Sequence, residues 1–274
     1  MFKIIIMALL IFIGMVGYDN ITDKAQPTTP VQQEQQKVSN HEKSAAMALF
    51  TSLLPPKEEW PSPVHKFYLA FNMDEVIDPI RQNPNWTSLD AMSRDIPQAL
   101  IAIEDHAFYN HGAIAVEGIL RAALANINAG EVVQGGSTLT QQFVKNVFLS
   151  HEQSMERKIE EAVLSLMLED NYSKDEILEL YLNTTYFGAG STGIKQASKT
   201  YFGKAPSALT LAEAAVIASL PYAPTSLNPL ENPEGCKKRQ LLVLAAMHKY
   251  GMINQGQLAE AKAEKIRLTN GTVM

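Results

Sequence analysis

Apolar residues recur at intervals of three and four along the chain from Ile96 onward. Side chains at these intervals share one helix face, so the pattern predicts a series of amphipathic helices. Strand signals are few, and the spacing therefore predicts a mainly α-helical domain over about residues 90–268. Two sets of residues are each expected to share a face: Ile159, Ala162, Val163, Leu166 and Met167 on one helix, and Ile177, Leu180 and Tyr181 on the next.

The predicted helix starts carry a Ser or Thr followed three residues later by Glu or Gln, a spacing at which the two side chains cap a helix reciprocally. Near the end of the chain, Gly251 separates two further predicted helices, at about residues 236–250 and 254–264. Three capping pairs precede apolar-periodic runs: Ser150 with Gln153, Ser173 with Glu176, and Thr210 with Glu213.

The N-terminal segment carries an uncharged apolar run from Ile4 to Tyr18, between Lys3 and Asp19. The run is short for a membrane span of about 20 residues. Because no convincing small-x-small cleavage site precedes Asp19, residues 1–18 are interpreted as an uncleaved single-pass anchor, with a cleaved signal peptide as the alternative. Both interpretations place the remaining chain on the extracytoplasmic side of the cytoplasmic membrane.

Composition separates the segments that follow. Residues 19–45 are rich in Gln, Thr, Glu, Lys and Pro, and such a stretch buries too little apolar surface to become ordered, so it is predicted to be a disordered linker. Prolines interrupt residues 46–95, which are expected to wrap the start of the helical domain. The domain itself is assigned to residues 96–268, and residues 269–274 form a tail.

Charge and cysteine content narrow the classes of function. The chain has 274 residues, of which 46% are hydrophobic, and a formal net charge of -6. This acidic balance argues against a nucleic-acid partner, which requires a basic face. The single cysteine, Cys236, cannot form an internal disulfide and is given no role.

The first of four motifs begins with two adjacent carboxylates, Glu104 and Asp105, and continues to Phe108 and His111. It follows an apolar segment. If Glu104 lies partly out of water in a cleft, it becomes a usable base near neutral pH. The plain alternative is a solvated helix end with Phe108 in the core.

Two further motifs gather groups that suit an anion. The string from Gly135 to Lys145 joins a glycine turn to a Ser/Thr-capped helix start, whose backbone N–H groups attract negative charge; an ordinary capped junction is the alternative. Arg157 and Lys158 lie within one helical turn of Glu161, which suits either a bound pyrophosphate or a solvated ion-paired face. The fourth motif, residues 177–190, indicates a close-packed glycine turn after a helix, with a sugar-binding wall as the alternative.

Together, in this order and spacing, the motifs resemble those of glycosyltransferase family 51, the peptidoglycan transglycosylase domain of class A penicillin-binding proteins and of monofunctional glycan polymerases. The resemblance covers about residues 96–268 and departs from the family pattern at Ala113, where a Gly is usual, and at Ala115, where a polar residue is common. No Ser-x-x-Lys transpeptidase motif is present. The matching strings are Glu104-Asp105-x-x-Phe108-x-x-His111, Gly135-Gly136-Ser137-Thr138-x-Thr140-Gln141-Gln142-x-x-Lys145-Asn146, Arg157-Lys158-x-x-Glu161 and Glu179-Leu180-Tyr181-Leu182-Asn183-x-x-Tyr186-Phe187-Gly188.

The resemblance implies a lysozyme-like, two-lobed helical domain with a larger head and a smaller, membrane-associated jaw at about residues 113–133. It implies polymerisation of lipid II into β-1,4-linked glycan strands, with inversion and release of undecaprenyl pyrophosphate, and no transpeptidase domain. Glu104 is then the general base and Glu161 the second essential carboxylate. The implied substrate-binding residues are Asp105, Phe108, His111, Thr138, Gln142, Lys145, Asn146, Arg157 and Lys158.

The same resemblance sets expectations for cofactors and partners. No cofactor is obligatory and no metal ligands are assigned, although a divalent Mg or Mn ion at the pyrophosphate is an option. The expected partners are lipid II and the growing glycan chain, the cytoplasmic membrane, and a separate transpeptidase with other cell-wall synthesis proteins. Two alternatives stay open: a lysozyme-like glycan hydrolase, which has no need of the cations, and a non-catalytic lipid II-binding scaffold, which has no need of the two carboxylates.

Overall fold

The computed structural model describes residues 68–69, 72–119, 135–149 and 154–274. The chain divides into two compact units, Met1–Asn72 and Met73–Met274, and all four motifs belong to the second. The predicted anchor and linker, the jaw residues beyond Ile119 and the pair Ser150–Gln153 lie outside the described residues. Within the described ranges, no helix combines the length and the apolar character that crossing a membrane requires.

The second unit is helical, as the apolar spacing predicts. Between residues 73 and 274, the described residues pair in extended conformation only at two isolated bridges, Tyr186 with Thr192 and Arg267 with Val273. The mainly α-helical class is therefore confirmed, while the lysozyme-like division into head and jaw stays a prediction. The α-helices are α1 (Asp74–Arg81), α2 (Asp95–Glu104), α3 (Leu139–Val147), α4 (Met155–Asn171), α5 (Lys174–Thr184), α6 (Ile194–Phe202), α7 (Leu211–Ser219), α8 (Pro233–Lys249) and α9 (Gln255–Ala263), with short 3-10 turns at Leu89–Ala91, Phe108–Asn110 and Pro206–Ala208.

Side-chain caps fix where several of the helices begin. Ser173 caps α5 and Thr210 caps α7, each in a complete capping box with the glutamate three residues on, so both predictions are confirmed. Thr138 caps α3 in the same way, with Gln141 as its reciprocal partner. Since a cap of this kind contributes about 1 kcal/mol, the start of α3 is held firmly in register. The two last helices also occur where predicted, and Gly251 between them has a φ of 74°.

Two groups of helices surround the candidate motifs. Helix α7, buried on all sides from Ala212 to Ser219, packs against α2 and α8. Helix α3 packs against α4 and α5. Glu104 ends α2 in the first group and Gln142 lies on α3 in the second. The first two motifs therefore come together where the groups meet.

The face predicted for α4 is wrong. Ile159 is 57% exposed, and three more members of the predicted set are only partly buried: Ala162, Val163 and Leu166. The buried stripe instead runs through Glu161, Leu164, Ser165 and Leu168, next to the correctly placed Met167. Glu161 faces inward because it is paired with cations. The spacing of apolar residues alone cannot predict the burial of a charged side chain. On α5 the predicted set Ile177, Leu180 and Tyr181 is buried, as expected.

The glycine turn after α5 is structural, as its composition indicates. Gly188 has a φ of 87°, in the region that favours glycine. A Cβ atom there would lie 2.3 Å from the carbonyl oxygen of Pro224. The motif therefore closes a tight backbone contact.

Two polar side chains of α5 hold the segment that precedes α2. Glu179 accepts hydrogen bonds from the indole of Trp86, at 3.1 Å, and from the backbone N–H of Leu89, at 2.8 Å. Asn183 accepts from the backbone N–H of Thr87 and donates to its carbonyl, both at 2.8 Å. These contacts tie this segment to the helical domain.

We expect Asn183→Ala to lower the free energy of unfolding by about 1–3 kcal/mol, because it leaves the backbone groups of Thr87 without partners. Thr184→Ala is the matched control, since that hydroxyl donates only to Leu180 of its own helix, and it should cost less than about 1 kcal/mol. Urea unfolding followed by circular dichroism measures both. Equal losses in the two variants would contradict the anchoring role.

Candidate functional site

A cleft of about 410 Å³ lies along the end of α2 and the start of α3. It is lined by the first two motifs, by residues 114–118 between them and by one residue from the end of α8. The lining includes Glu104, Asp105, His106, His111, Gly135, Gly136, Ser137, Thr138 and Tyr250. The cleft therefore brings the candidate base and the glycine-rich turn to one space.

Glu104 is the last residue of α2 and is partly buried. Its Oε2 accepts a hydrogen bond of 3.0 Å from Nε2 of Gln142. The amide oxygen of Gln142 in turn accepts a 3.0 Å hydrogen bond from the hydroxyl of Tyr181. Gln142, which the resemblance assigns to substrate binding, thus contacts the candidate base directly.

Both carboxylate oxygens of the neighbouring Asp105 are bonded to other groups of the protein. Its Oδ2 accepts from the backbone N–H of Leu139 at 3.0 Å, and its Oδ1 lies 2.6 Å from Nε2 of His111. The sequence predicts an anion at the start of α3, and this carboxylate is that anion. Asp105 and His111 both line the cleft and bind each other, and their contact with a substrate stays a prediction.

His111 has an acceptor at each ring nitrogen, because its Nδ1 lies 2.6 Å from the carbonyl oxygen of Gly112. Both nitrogens donate at once only in the imidazolium form. The hydrogen bond to Asp105 is the main reason that the pKa of His111 is raised above its usual 6.5. Burial opposes this rise and the Gly112 carbonyl adds to it.

The third motif forms a cationic cluster around a buried carboxylate. Glu161 is 1% exposed and pairs with Lys158, while Nη1 of Arg157 lies 3.9 Å from its Oε2. Lys158 also donates to the hydroxyl of Ser137 at 3.2 Å. Because Ser137 lines the cleft, the cluster borders the same space as Glu104.

Arg157 retains unused hydrogen-bonding capacity. Its Nε is buried, and no residue in the described ranges accepts a hydrogen bond from it. A buried guanidinium donor without an acceptor is costly. An anion that reached this position would relieve the cost.

The remaining predicted residues divide by exposure. Lys145 and Asn146 are exposed and lie one turn beyond Gln142 on the same face of α3, so both are accessible to a ligand.

Two other predicted residues are buried. Phe108 is fully buried, with the ammonium of Lys174 4.4 Å from its ring centroid. Phe108 thus packs in the core, and its contact with a substrate stays a prediction. Thr138 is 1% exposed and donates to the carbonyl of Ala113 at 2.7 Å. It therefore links the start of α3 to the backbone at residue 113.

Sequence reasoning missed one pair of cleft residues. The rings of His106 and Tyr250 stack with centroids 4.1 Å apart and 12° between their planes. Tyr250 comes from the end of α8 and is 38% exposed. No local pattern connects residues so distant in the chain, and only the packing of α8 against α2 brings them together.

The fit of a divalent ion is poor at the predicted position. The two side chains that approach Glu161 are cations, which oppose the charge of a metal. Over residues 72–119, 135–149 and 154–274, no three His, Cys, Asp or Glu side chains are close enough together to hold a metal ion.

These features define a class of protein: a helical domain with a carboxylate, held by an amide, that faces a cleft bordered by lysine and arginine. The chain belongs to the transglycosylase family, whose model matches residues 73–248. The match begins before the predicted boundary at residue 96 and takes in α1.

Named relatives share this region. Penicillin-binding protein 1A of Neisseria flavescens is 44% identical over 68% of this chain, which spans 23% of that protein, and its namesake from Aquifex aeolicus is 44% identical over 64% of this chain and 24% of its own length. A protein of Cupriavidus necator, provisionally described as a transglycosylase, is 40% identical over 71% of this chain and 84% of its own. The chain thus spans about a quarter of the length of these two penicillin-binding proteins.

Among solved structures, penicillin-binding protein 1A from Haemophilus influenzae is 33% identical over 48% of this chain and 16% of its own. The TM-score is 0.34, and the superposition is too loose to compare the two folds.

The raised pKa of His111 predicts a pH dependence. The stabilisation by its ion pair is fully present below pH 6.5 and is lost as the pH rises through the folded-state pKa. Asp105→Asn, which retains an acceptor for Leu139, should therefore lower Tm more at about pH 6 than at about pH 9. Thermal unfolding of both proteins across this range measures the difference, and NMR of the His111 ring follows the titration directly. A Tm difference that does not depend on pH, or titration of native His111 at its usual value, would contradict the assignment.

Proposed function

We propose that this chain is a peptidoglycan glycosyltransferase that polymerises lipid II into β-1,4-linked glycan strands. Membership of the transglycosylase family and the named relatives support the proposal. The observation that carries it is the shared cleft, in which Glu104 faces the same space that Lys158 borders through Ser137. A carboxylate base and a cationic cluster are the two parts needed to transfer a sugar from a pyrophosphate.

Glu104 is the general base of the proposed reaction. It takes the proton of the 4-hydroxyl of the acceptor N-acetylglucosamine as that oxygen bonds to the anomeric carbon of the donor N-acetylmuramic acid. The bond from this carbon to the pyrophosphate breaks, and undecaprenyl pyrophosphate leaves with the electron pair. Attack from the face opposite the leaving group inverts the α-linked donor to a β-linked product, as in inverting glycosidases with a sugar hydroxyl in place of water.

The cations of α3 and α4 stabilise the leaving group. Negative charge grows on the pyrophosphate as the bond breaks, and nearby cations lower the energy of that state more than the energy of the ground state. Lys145 is exposed and Arg157 has its unused buried donor, so both are able to bind the phosphates. Glu161 holds Lys158 and Arg157 in place, and no step is assigned to a metal ion.

The setting of the reaction belongs to the same proposal. The apolar run of residues 4–18 supports an anchored chain whose domain lies outside the cytoplasmic membrane. Lipid II is membrane-bound, and an anchor would raise its effective concentration at the cleft. A separate transpeptidase and other cell-wall synthesis proteins would then cross-link the strands.

Glu104→Gln should abolish polymerisation, with a rate loss of at least about a hundredfold. The amide is nearly isosteric but cannot accept the proton. Purified full-chain protein is incubated with labelled lipid II in detergent, and product length is read on a gel. The control is Glu234→Gln, an exposed position on α8, which should retain native turnover. Native-like turnover in Glu104→Gln would refute the base assignment, and shortening of preformed glycan by native protein would favour a hydrolase.

Lys145→Ala and Arg157→Ala should each slow chain extension strongly, with the loss mainly in kcat. Lys199→Ala is the matched control for Lys145, since both are exposed lysines in the last turn of a nine-residue helix. Single-turnover rates at saturating lipid II separate kcat from binding. If kcat fell only a few-fold in both variants with unchanged Tm, the leaving-group role of these two cations would be wrong.

A further inference from the structure

We infer that Tyr181 is a positioning residue for the general base and that it acts through the side-chain amide of Gln142. The inference rests on the proposed function, because it assigns Glu104 the base role. The three side chains form a continuous hydrogen-bonded chain, with 3.0 Å from the phenol to the amide oxygen and 3.0 Å from the amide nitrogen to the carboxylate.

The direction of the hydrogen-bonded chain is set at both ends, by a carboxylate that only accepts and by a buried phenol that donates. A glutamine amide presents a donor at one end and an acceptor at the other, and the two ends are close to interchangeable in shape. Tyr181 is 1% exposed, and burial, followed by the nearby negative charge of Glu104, raises the pKa of its phenol. The phenol therefore keeps its proton at working pH and donates to Oε1 of Gln142. The carboxylate of Glu104 accepts only from Nε2, and the bond from the phenol to Oε1 holds the amide in that orientation.

The result is a carboxylate with two unlike oxygens. Oε2 of Glu104 is held by Gln142, and none of the residues described in the structure donates to Oε1. One oxygen fixes the orientation of the group while the other is left for the proton of the acceptor hydroxyl. If the amide were reversed, its oxygen would face the carboxylate and repel it.

Packing alone does not account for the hydroxyl of Tyr181. The ring lies on the buried face of α5 with Ile177 and Leu180, and a phenylalanine would fill that space equally well. The hydroxyl adds a polar group whose burial has a cost unless it is bonded. It donates to Gln142, and the side chain of Thr185 also interacts with it. Of these two neighbours, Gln142 is the one that contacts Glu104, so the effect of the hydroxyl on the base is made through that amide.

Tyr181→Phe should reduce kcat for polymerisation by about tenfold, a part of what a positioned base contributes, with KM changed less than about twofold. Tyr201→Phe is the matched control: Tyr201 is likewise fully buried, and its hydroxyl donates at 2.7 Å to the carbonyl oxygen of Phe187. Tyr201→Phe should lower Tm about as much as Tyr181→Phe does, while its kcat stays at the native value. A kcat in Tyr181→Phe within twofold of native would overturn the inference.

A double-mutant cycle tests whether Tyr181 acts through Gln142. Gln142→Leu removes the amide, so adding Tyr181→Phe to it should produce no further fall in kcat. If the two losses multiply, the phenol acts independently and the relay is wrong.

A measurement without substrate separates this inference from the proposed function. The side-chain amide resonances of ¹⁵N-labelled Gln142, assigned by their loss in Gln142→Leu, should shift in both Tyr181→Phe and Glu104→Gln and stay unchanged in Tyr201→Phe. Unchanged resonances in Tyr181→Phe would refute the relay whether or not the protein polymerises lipid II. Shifted resonances in a protein that makes no polymer would support the relay and reject the enzymatic proposal.

Discussion

The carboxylate of Asp105 joins the end of α2 to the beginning of α3, since one oxygen accepts from the backbone N–H of Leu139 and the other faces the imidazole of His111. Helix starts carry unpaired N–H groups and partial positive charge, so a carboxylate is well placed there. The contact sets the distance between the two helices. Glu104 and Gln142 meet because each lies within a turn of it.

A second constraint comes from burying Glu161. A carboxylate removed from water is tolerated only when cations accompany it, and Lys158 and Arg157 supply that charge. The pairing is incomplete at Arg157, whose buried Nε lacks an acceptor among the described residues. The cluster therefore holds its cations beside the cleft and leaves a hydrogen-bond donor of Arg157 unused, which makes it available to an anion.

How far the sequence predicts this molecule depends on the range of each interaction. Capping pairs such as Ser173 with Glu176 are local, and both pairs that the structure describes form as predicted. The prediction of which face of α4 is buried was wrong, because Glu161 is buried in contact with its ion-pair partners. The spacing of apolar residues carries no information on ion pairs. Asp105 with Leu139, and His106 with Tyr250, are contacts between separate elements. Spacing along the chain cannot reveal them.

Adjacent carboxylates show why burial and partners, rather than residue type, decide a role. Glu104 and Asp105 are neighbours with the same chemistry, and both line the cleft. Asp105 uses both oxygens on Leu139 and His111, so it has little capacity left to accept a proton from a bound molecule. Glu104 uses one oxygen on Gln142 and keeps the other. The hydrogen bonds therefore separate a carboxylate that holds the fold from one that is able to act as a base, and they do so before any substrate is bound.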